Sequence, residues 1–245
     1  MSQRIGHFDD EAKVCLYYSV VEAAGRDDAL QKESYFSAAL AAMPADFSGK
    51  RVLDIGGGNG AWSELFHERN AKEVVYLDKS PAMYQLAAER KKTNCLQRML
   101  LLQIGIEEYL EKHNKHRFDF IFSSFSLMYF VHIRELLTTI AALLNPGGEM
   151  MIITNILTVE NPAAQPEQEL LQHTVKIELG NESRIVLDNL IQPLSHYLDG
   201  LNDGGVAETS TKFFSSNYSR ICPEYDNPYK ASLNQAVIYG RKTIR

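Results

Sequence analysis

Several things are scarce in this chain of 245 residues. It has three cysteines (Cys15, Cys95, Cys222) and a single tryptophan, Trp62. The cysteines lie far apart and lack the paired spacing of a metal site, so no metal is expected. An odd, sparse set suits a reducing compartment rather than a disulfide framework. No window approaches the roughly 20 apolar residues that a membrane helix needs. The segment Met1 to Asp10 is polar and has no signal-peptide core. Positive charge is also short: a net charge of −6 argues against a general nucleic-acid surface. The one basic run, Arg90-Lys91-Lys92, reads as the last turn of a helix, where cations suit the dipole. There is no internal repeat and no low-complexity segment. These absences lead to the expectation of a cytoplasmic protein, monomer or homodimer, with neither nucleic acid nor membrane as partner. The length suits one α/β domain with one substantial core.

What the chain does have is concentrated in Leu53-Asp54-Ile55-Gly56-Gly57-Gly58-Asn59-Gly60. A β-type run, Arg51-Val52-Leu53, precedes it, and helical spacing of Trp62, Leu65 and Phe66 follows. Glycine tolerates positive φ and puts no Cβ between backbone and ligand. Alternating Gly56, Gly58 and Gly60 therefore allow a sharp turn with bare peptide at the carboxyl end of a strand, where open α/β sheets bind ligands. A second apolar run, Glu73 to Leu77, ends in Asp78, an acid placed to accept both hydroxyls of a ribose. Strand, glycine turn, helix, strand, acid is the layout of a nucleotide-type cofactor site.

Two cofactors satisfy these glycines. Gly56-x-Gly58-x-x-Ala61 also meets the loose dinucleotide fingerprint. Asp54 discriminates between them. A carboxylate two residues before the first glycine repels a pyrophosphate, whereas it attracts a sulfonium and an ammonium, or supports the loop by accepting its N–H groups. The motif Asp54-x-Gly56-x-Gly58-x-Gly60 resembles the first motif of the class I S-adenosylmethionine-dependent methyltransferases. Leu143-Leu144-Asn145-Pro146-Gly147-Gly148 is similar to that family's Leu-x-Pro-Gly-Gly turn. The likeness covers residues 50 to 155 well and the remainder weakly.

The resemblance implies a Rossmann-like, seven-stranded, mostly parallel sheet with helices on both faces and an antiparallel C-terminal hairpin. The residue patterns agree. Strands are expected at 51–54, 74–78, 99–104, 118–123 and 149–154, then at 207–215 and 235–242. Helices alternate with the first five, at 61–69, from Ser80-Pro81 onward, at 106–113 and at 134–144, the last closed by Asn145-Pro146-Gly147-Gly148. Such alternation implies parallel pairing. The domain divides into a helical cap (1–45), a cofactor-binding core (46–158), a polar insertion (159–183) with a helix around Glu167 to His173, and a C-terminal edge (184–245).

By the same resemblance, S-adenosyl-L-methionine is the cofactor. Gly56, Gly58 and Gly60 contact its methionine part, Asp54 supports the loop, and Asp78 takes the ribose. Lys79 and Met83 border the adenine, and Ser123 and Ser124 present backbone toward the cofactor. One of the pair Tyr17-Tyr18 closes over it, with Tyr17 taken as the candidate. Two positions depart from the family. Gly105 stands where an acid usually reads the adenine amino group, leaving Glu107 or the backbone of Ile106 for that task. Met128 stands in Leu127-Met128-Tyr129 where relatives carry a histidine, leaving Tyr129 and His132 as candidates to handle a proton of the acceptor. The expected reaction is methyl transfer to oxygen or nitrogen, or to carbon, of a small-molecule metabolite. An NAD(P)-dependent oxidoreductase and a non-catalytic cofactor-binding protein are the alternatives.

Overall fold

The computed structural model describes residues 34–159, 171–179, 183–215 and 231–244. After a lead helix α1 (Ser34–Ala42) the core alternates: β1 (Arg51–Ile55), α2 (Ala61–Glu68), β2 (Glu73–Leu77), α3 (Pro81–Thr93), β3 (Met99–Leu102), α4 (Ile106–His113), β4 (Phe118–Ser124), α5 (Ile133–Ala141) and β5 (Leu144–Val159). Then come β6 (Leu171–Leu179), β7 (Ser183–Ile191), α6 (Leu194–Asp203), β8 (Val206–Ser215) and β9 (Ala231–Lys242). Seven strands form one sheet in the order β3-β2-β1-β4-β5-β9-β8. The β1–β2, β1–β4, β2–β3 and β4–β5 pairs are parallel; β9 runs antiparallel to both β5 and β8.

The parallel strands are apolar on both faces because helices cover both. On one face Leu53, Val75, Ile121, Met150 and Ile152 pack under α5 and α6, with Tyr197 and Leu201. On the other, Val52, Val74, Phe120, Phe122, Met151 and Ile153 meet Trp62 and Phe66 of α2 and Tyr35 and Ala39 of α1. The second layer is aromatic: Phe66 lies edge-on to Phe47, Phe120 and Phe122, with ring centroids 5.2–5.8 Å apart. This packing holds the carboxyl ends of β1, β2 and β4 in fixed register.

Three local expectations are corrected. The helix ahead of β5 ends at Ala141, and Asn145-Pro146-Gly147-Gly148 lies inside β5. The β4–β5 register jumps from Phe118↔Leu144 to Phe120↔Glu149, so these residues form a bulge, and Gly147 supplies its positive φ of 74°. Leu171 to His173 belong to strand β6 instead of a helix. Val175, Ile177 and Leu179 alternate with Lys176 and Glu178, the period of two of a strand. β6 and β7 pair as a separate two-stranded sheet, which spans the boundary placed at residue 183. The third strand stops at Leu102, short of Ile104. Tyr17 and the rest of the preface expected to be helical before Ser34 lie outside the described residues, as do residues 167–170 of the helix expected around Glu167 to His173.

Candidate functional site

The glycine loop leaves β1 at Ile55 with Gly56, Gly58 and Gly60 all in the left-handed region, at φ of 66°, 55° and 81°. The Gly57 N–H donates to the Leu77 carbonyl at 3.0 Å, which ties the loop to the end of β2. Each glycine is required for a different reason. A Cβ at Gly56 would stand 2.3 Å from the Cβ of Ser126, and one at Gly57 would stand 2.4 Å from the Tyr76 ring. At Gly58 a Cβ would meet nothing within 4 Å, so bare peptide faces open space there. That open side is a cradle of the kind a close-fitting ligand needs.

The two acids divide their work differently from the expectation. Asp54 is fully buried and accepts the Ser63 hydroxyl at 2.6 Å. It is anchored on α2 rather than on the loop N–H groups. Burial pushes its carboxyl up to about 7, with the Ser63 hydrogen bond opposing and the charge of Asp78 adding to the rise. Asp78 is the acid that holds the loop. It accepts the Gly58 N–H at 3.0 Å on one oxygen and the Ser80 N–H at 2.9 Å on the other. The Tyr76 hydroxyl completes the brace by donating to the Gly58 carbonyl at 2.6 Å. The Gly58 peptide is thus held at both ends while one side of it stays open.

The remaining candidates lie at or just after the carboxyl ends of β2, β3 and β4. Ser80 caps α3, its side chain accepting the Met83 N–H, and Met83 is buried beneath that turn. Lys79 is half-buried between Asp78 and the cap. Gly105 occupies the N-cap position of α4 without a side-chain cap. A Cβ there would stand 3.1 Å from a Glu107 carboxylate oxygen, so the glycine leaves room for Glu107 to fold back over the helix start. Ile106 is buried beside it. Ser123 is buried and shares a 2.8 Å hydrogen bond with Ser126, whose hydroxyl donates to the Ile55 carbonyl at 2.8 Å. Ser124, half-buried, ends β4. Phe125 then takes a φ of 51°, held by its N–H to the Ile153 carbonyl and by the edge of Tyr35. That turn swings Ser126 against Gly56.

Tyr129 and His132 receive different surroundings. Tyr129 is buried in a 3-10 turn, Leu127–Tyr129. His132 is exposed, immediately before α5, and its carbonyl accepts the Leu136 N–H. Met128 is buried, and its sulfur accepts the Asn155 side-chain N–H at 3.7 Å. Sequence reasoning missed Gly57, Ser63, Tyr76 and Ser126. Only Gly57 carried a signal, as a glycine inside the motif. The others act through contacts that span 9 to 71 residues of chain. Among the described residues no group of three or more His, Cys, Asp or Glu side chains could hold a metal ion. No described helix is long and apolar enough to cross a membrane. An open groove of about 480 Å³ beside α3 and β3, including Lys91, Cys95 and Leu100, lies at the far edge of the sheet from β5.

The chain resembles known proteins in sequence and in fold. Residues 29–177, more than half of the chain, match the family described as "Methyltransferase domain". An uncharacterised protein of Haemophilus influenzae is 34% identical over 133 residues, 53% of this chain and 49% of its own length. A malonyl-[acyl-carrier protein] O-methyltransferase of Paenibacillus is 27% identical over 105 residues, 42% of this chain and 38% of its own. The chain thus matches half or less of the length of these curated relatives. An S-adenosylmethionine-dependent methyltransferase from Mesorhizobium loti shares the fold, with a TM-score of 0.58 at 18% identity over 87% of this chain and 100% of that one. With the matched family model, the strand order and the acid–glycine loop in one molecule, the chain belongs to the methyltransferase-domain family, of the class I S-adenosylmethionine-dependent type.

Proposed function

We propose that the chain transfers the methyl group of S-adenosylmethionine to an oxygen, nitrogen or carbon of a small-molecule acceptor. The observation that carries the reading is the Gly58 peptide, braced by Asp78 and Tyr76 and open on its remaining side. When bound, the cofactor supplies a sulfonium-activated methyl group, which needs no acid to help it leave. What the protein must do is hold two reactants in line and exclude water. In this reading Gly56, Gly58 and Gly60 receive the methionine part, Asp54 supports the loop from beneath through Ser63 and α2, and Asp78 takes the ribose. Lys79, Met83, Ile106 and Glu107 border the base, with Ser123 and Ser124 on the β4 side and Tyr17 from the preface.

The buried Tyr129 is better suited than the exposed His132 to handle an acceptor proton away from water. The Glu107 carboxylate, folded toward Gly105, takes over the position of the acid that the family usually has there. Calorimetry with S-adenosylhomocysteine tests the reading, with an expected dissociation constant on the order of micromolar. Binding of NAD(P) with none of S-adenosylhomocysteine would replace it with the oxidoreductase reading. Binding of S-adenosylhomocysteine, with no methyl transfer from S-adenosylmethionine to any of a broad metabolite panel, would favour a non-catalytic cofactor-binding protein.

A further inference from the structure

Beyond the glycine loop, the described residues hold an unexplained pair of buried amides. Asn155 and Gln235 are direct partners in the antiparallel β5–β9 register. Cross-strand partners place their side chains on one face, about 5 Å apart at Cβ. Here it is the face that carries Ile153 and Val237, against α1. Asn155 is 5% exposed and Gln235 1%. The side-chain oxygens Asn155 Oδ1 and Gln235 Oε1 have no hydrogen-bond partner among the described residues. The Asn155 amide N–H reaches only the Met128 sulfur, at 3.7 Å, a weak acceptor. Buried polar groups in native proteins are almost always paired, so two adjacent orphaned acceptors need a reason.

Their position supplies one. Ile55, Ser123 and Ile152 form one row across β1, β4 and β5, and the glycine loop starts directly after Ile55. Asn155 stands three residues beyond that row on β5, at the same rim of the sheet as the loop. Around the pair the surfaces are apolar. Phe214 of β8 is the register partner of Gln235, and Phe125 belongs to the same face. A reactant held beside the loop would meet two acceptor oxygens within an aromatic and aliphatic setting.

We propose that Asn155 and Gln235 form a specificity subsite for the methyl acceptor, accepting hydrogen bonds from a hydroxyl or amine carried on an apolar frame. This rests on the methyltransferase reading above. The subsite selects acceptors that bring a donor, because an acceptor without one would leave both oxygens dry.

The test uses the wild-type chain and an N155L/Q235M double variant, whose side chains keep approximate size and remove the oxygens. Each is loaded with S-adenosylhomocysteine and probed by saturation-transfer NMR with benzyl alcohol and benzylamine. Benzyl methyl ether and benzyltrimethylammonium, which lack the donor, are the counterparts. The wild type is expected to prefer the donors tenfold or more, and the variant to discriminate less than twofold. The variant's cofactor-free melting temperature should equal or exceed the wild type's, and its S-adenosylhomocysteine affinity should stay within twofold. A melting temperature lowered by several degrees would mean that the pair is structural, and would overturn the proposal. Loss of S-adenosylhomocysteine affinity beyond twofold in the variant would place the pair at the cofactor and overturn it too. So would a wild type that binds S-adenosylhomocysteine without preferring the donors. A wild type that does not bind S-adenosylhomocysteine overturns the methyltransferase reading itself, and the subsite with it.

Discussion

The glycine-loop side of the sheet and its antiparallel side treat buried polar groups in opposite ways. At the ends of β1 and β2 the polar atoms find one another: Ser63 with Asp54, the Gly58 N–H with Asp78, the Gly58 carbonyl with Tyr76. At β5 and β9, two carboxamide oxygens stay without partners among the described residues. The first arrangement is preorganised, so a ligand meets a loop that has already lost its freedom. The second stores an unmet demand for donors. A transferase that uses one cofactor with an activated methyl group gains from a rigid donor side. Choice among acceptors belongs on the side where unpaired groups can reject a molecule that fails to satisfy them.

The largest effect should come from breaking the rigid side at Gly57. A Cβ there would stand 2.4 Å from the Tyr76 ring and 2.9 Å from an Asp54 carboxylate oxygen. Gly57→Val forces the Tyr76 ring away from the Gly58 carbonyl and displaces the Asp54 carboxylate from Ser63. Overpacking of this kind costs about 1–3 kcal/mol, which lowers the melting temperature of a chain this size by about 5 °C. S-adenosylhomocysteine binding should become undetectable by calorimetry. A stable variant that still binds would mean that the loop is less braced than its hydrogen bonds indicate.

Next in size is Asp78→Ala. It removes the acceptor of the Gly58 and Ser80 N–H groups and, in the proposed function, the ribose partner. Hydrogen bonds to a charged group contribute about 1.5–3 kcal/mol each, so affinity for S-adenosylhomocysteine should fall about a hundredfold. Asp78→Asn, which keeps the acceptor oxygen and loses the charge, should recover part of it. Undiminished binding by the alanine variant would count against the cofactor assignment.

These two variants also mark how far the sequence could be read. Parallel pairing of the first five strands follows from alternating elements, and α4 was legible to both ends because Ile106 and Tyr109 form its buried stripe while acids open it and bases close it. Gly56, Gly58 and Gly60 were legible because positive φ leaves a residue-type signature. Asp54 was legible as a charge but not in its partner. Nothing local indicates that Ser63, nine residues on, will present its hydroxyl, or that Ser126 will reach the Ile55 carbonyl 71 residues back. The bulge in β5 was misread for a related reason. Asn-Pro-Gly-Gly is a helix stop by local rules, and only pairing with β4 on both sides of it, at Leu144 and again from Glu149, keeps β5 continuous through it. The Asn155–Gln235 pair was invisible because it depends on register between strands 80 residues apart.

A third prediction concerns acidity. Burial raises the Asp54 carboxyl from an ordinary 3.8 to about 7 in the folded chain. Between those values the folded chain holds a proton that the unfolded chain has released. Stability therefore falls as pH rises through that window and levels off above it. Asp54→Asn keeps an acceptor for Ser63 and cannot ionise. Its melting temperature should vary less than the wild type's between pH 5 and pH 8, and exceed it at the alkaline end. Parallel pH profiles for the two proteins would show that Asp54 is already ionised when folded, and that the loop side compensates a charge that the structure does not otherwise balance.

The smallest expected change is the most discriminating about preorganisation. Tyr76 is buried, and its hydroxyl donates to the Gly58 carbonyl at 2.6 Å. Tyr76→Phe removes that one oxygen and leaves the ring against Gly57, so packing is retained. A neutral hydrogen bond of this kind contributes about 0.5–1.5 kcal/mol, which corresponds to a loss of about two- to tenfold in affinity. Because Asp78 still holds the Gly58 N–H, the peptide keeps one anchor and gains freedom to rotate about it. The loss should then appear mainly as a more unfavourable binding entropy, with the melting temperature of the cofactor-free protein lowered only slightly. If affinity is unchanged while stability falls, the Tyr76 hydroxyl serves the fold alone and Asp78 suffices to hold the loop. If both fall together in proportion, the brace does not distinguish folding from binding, and the contrast with the unpaired amides of β5 and β9 reduces to a difference in how tightly the two sides are packed.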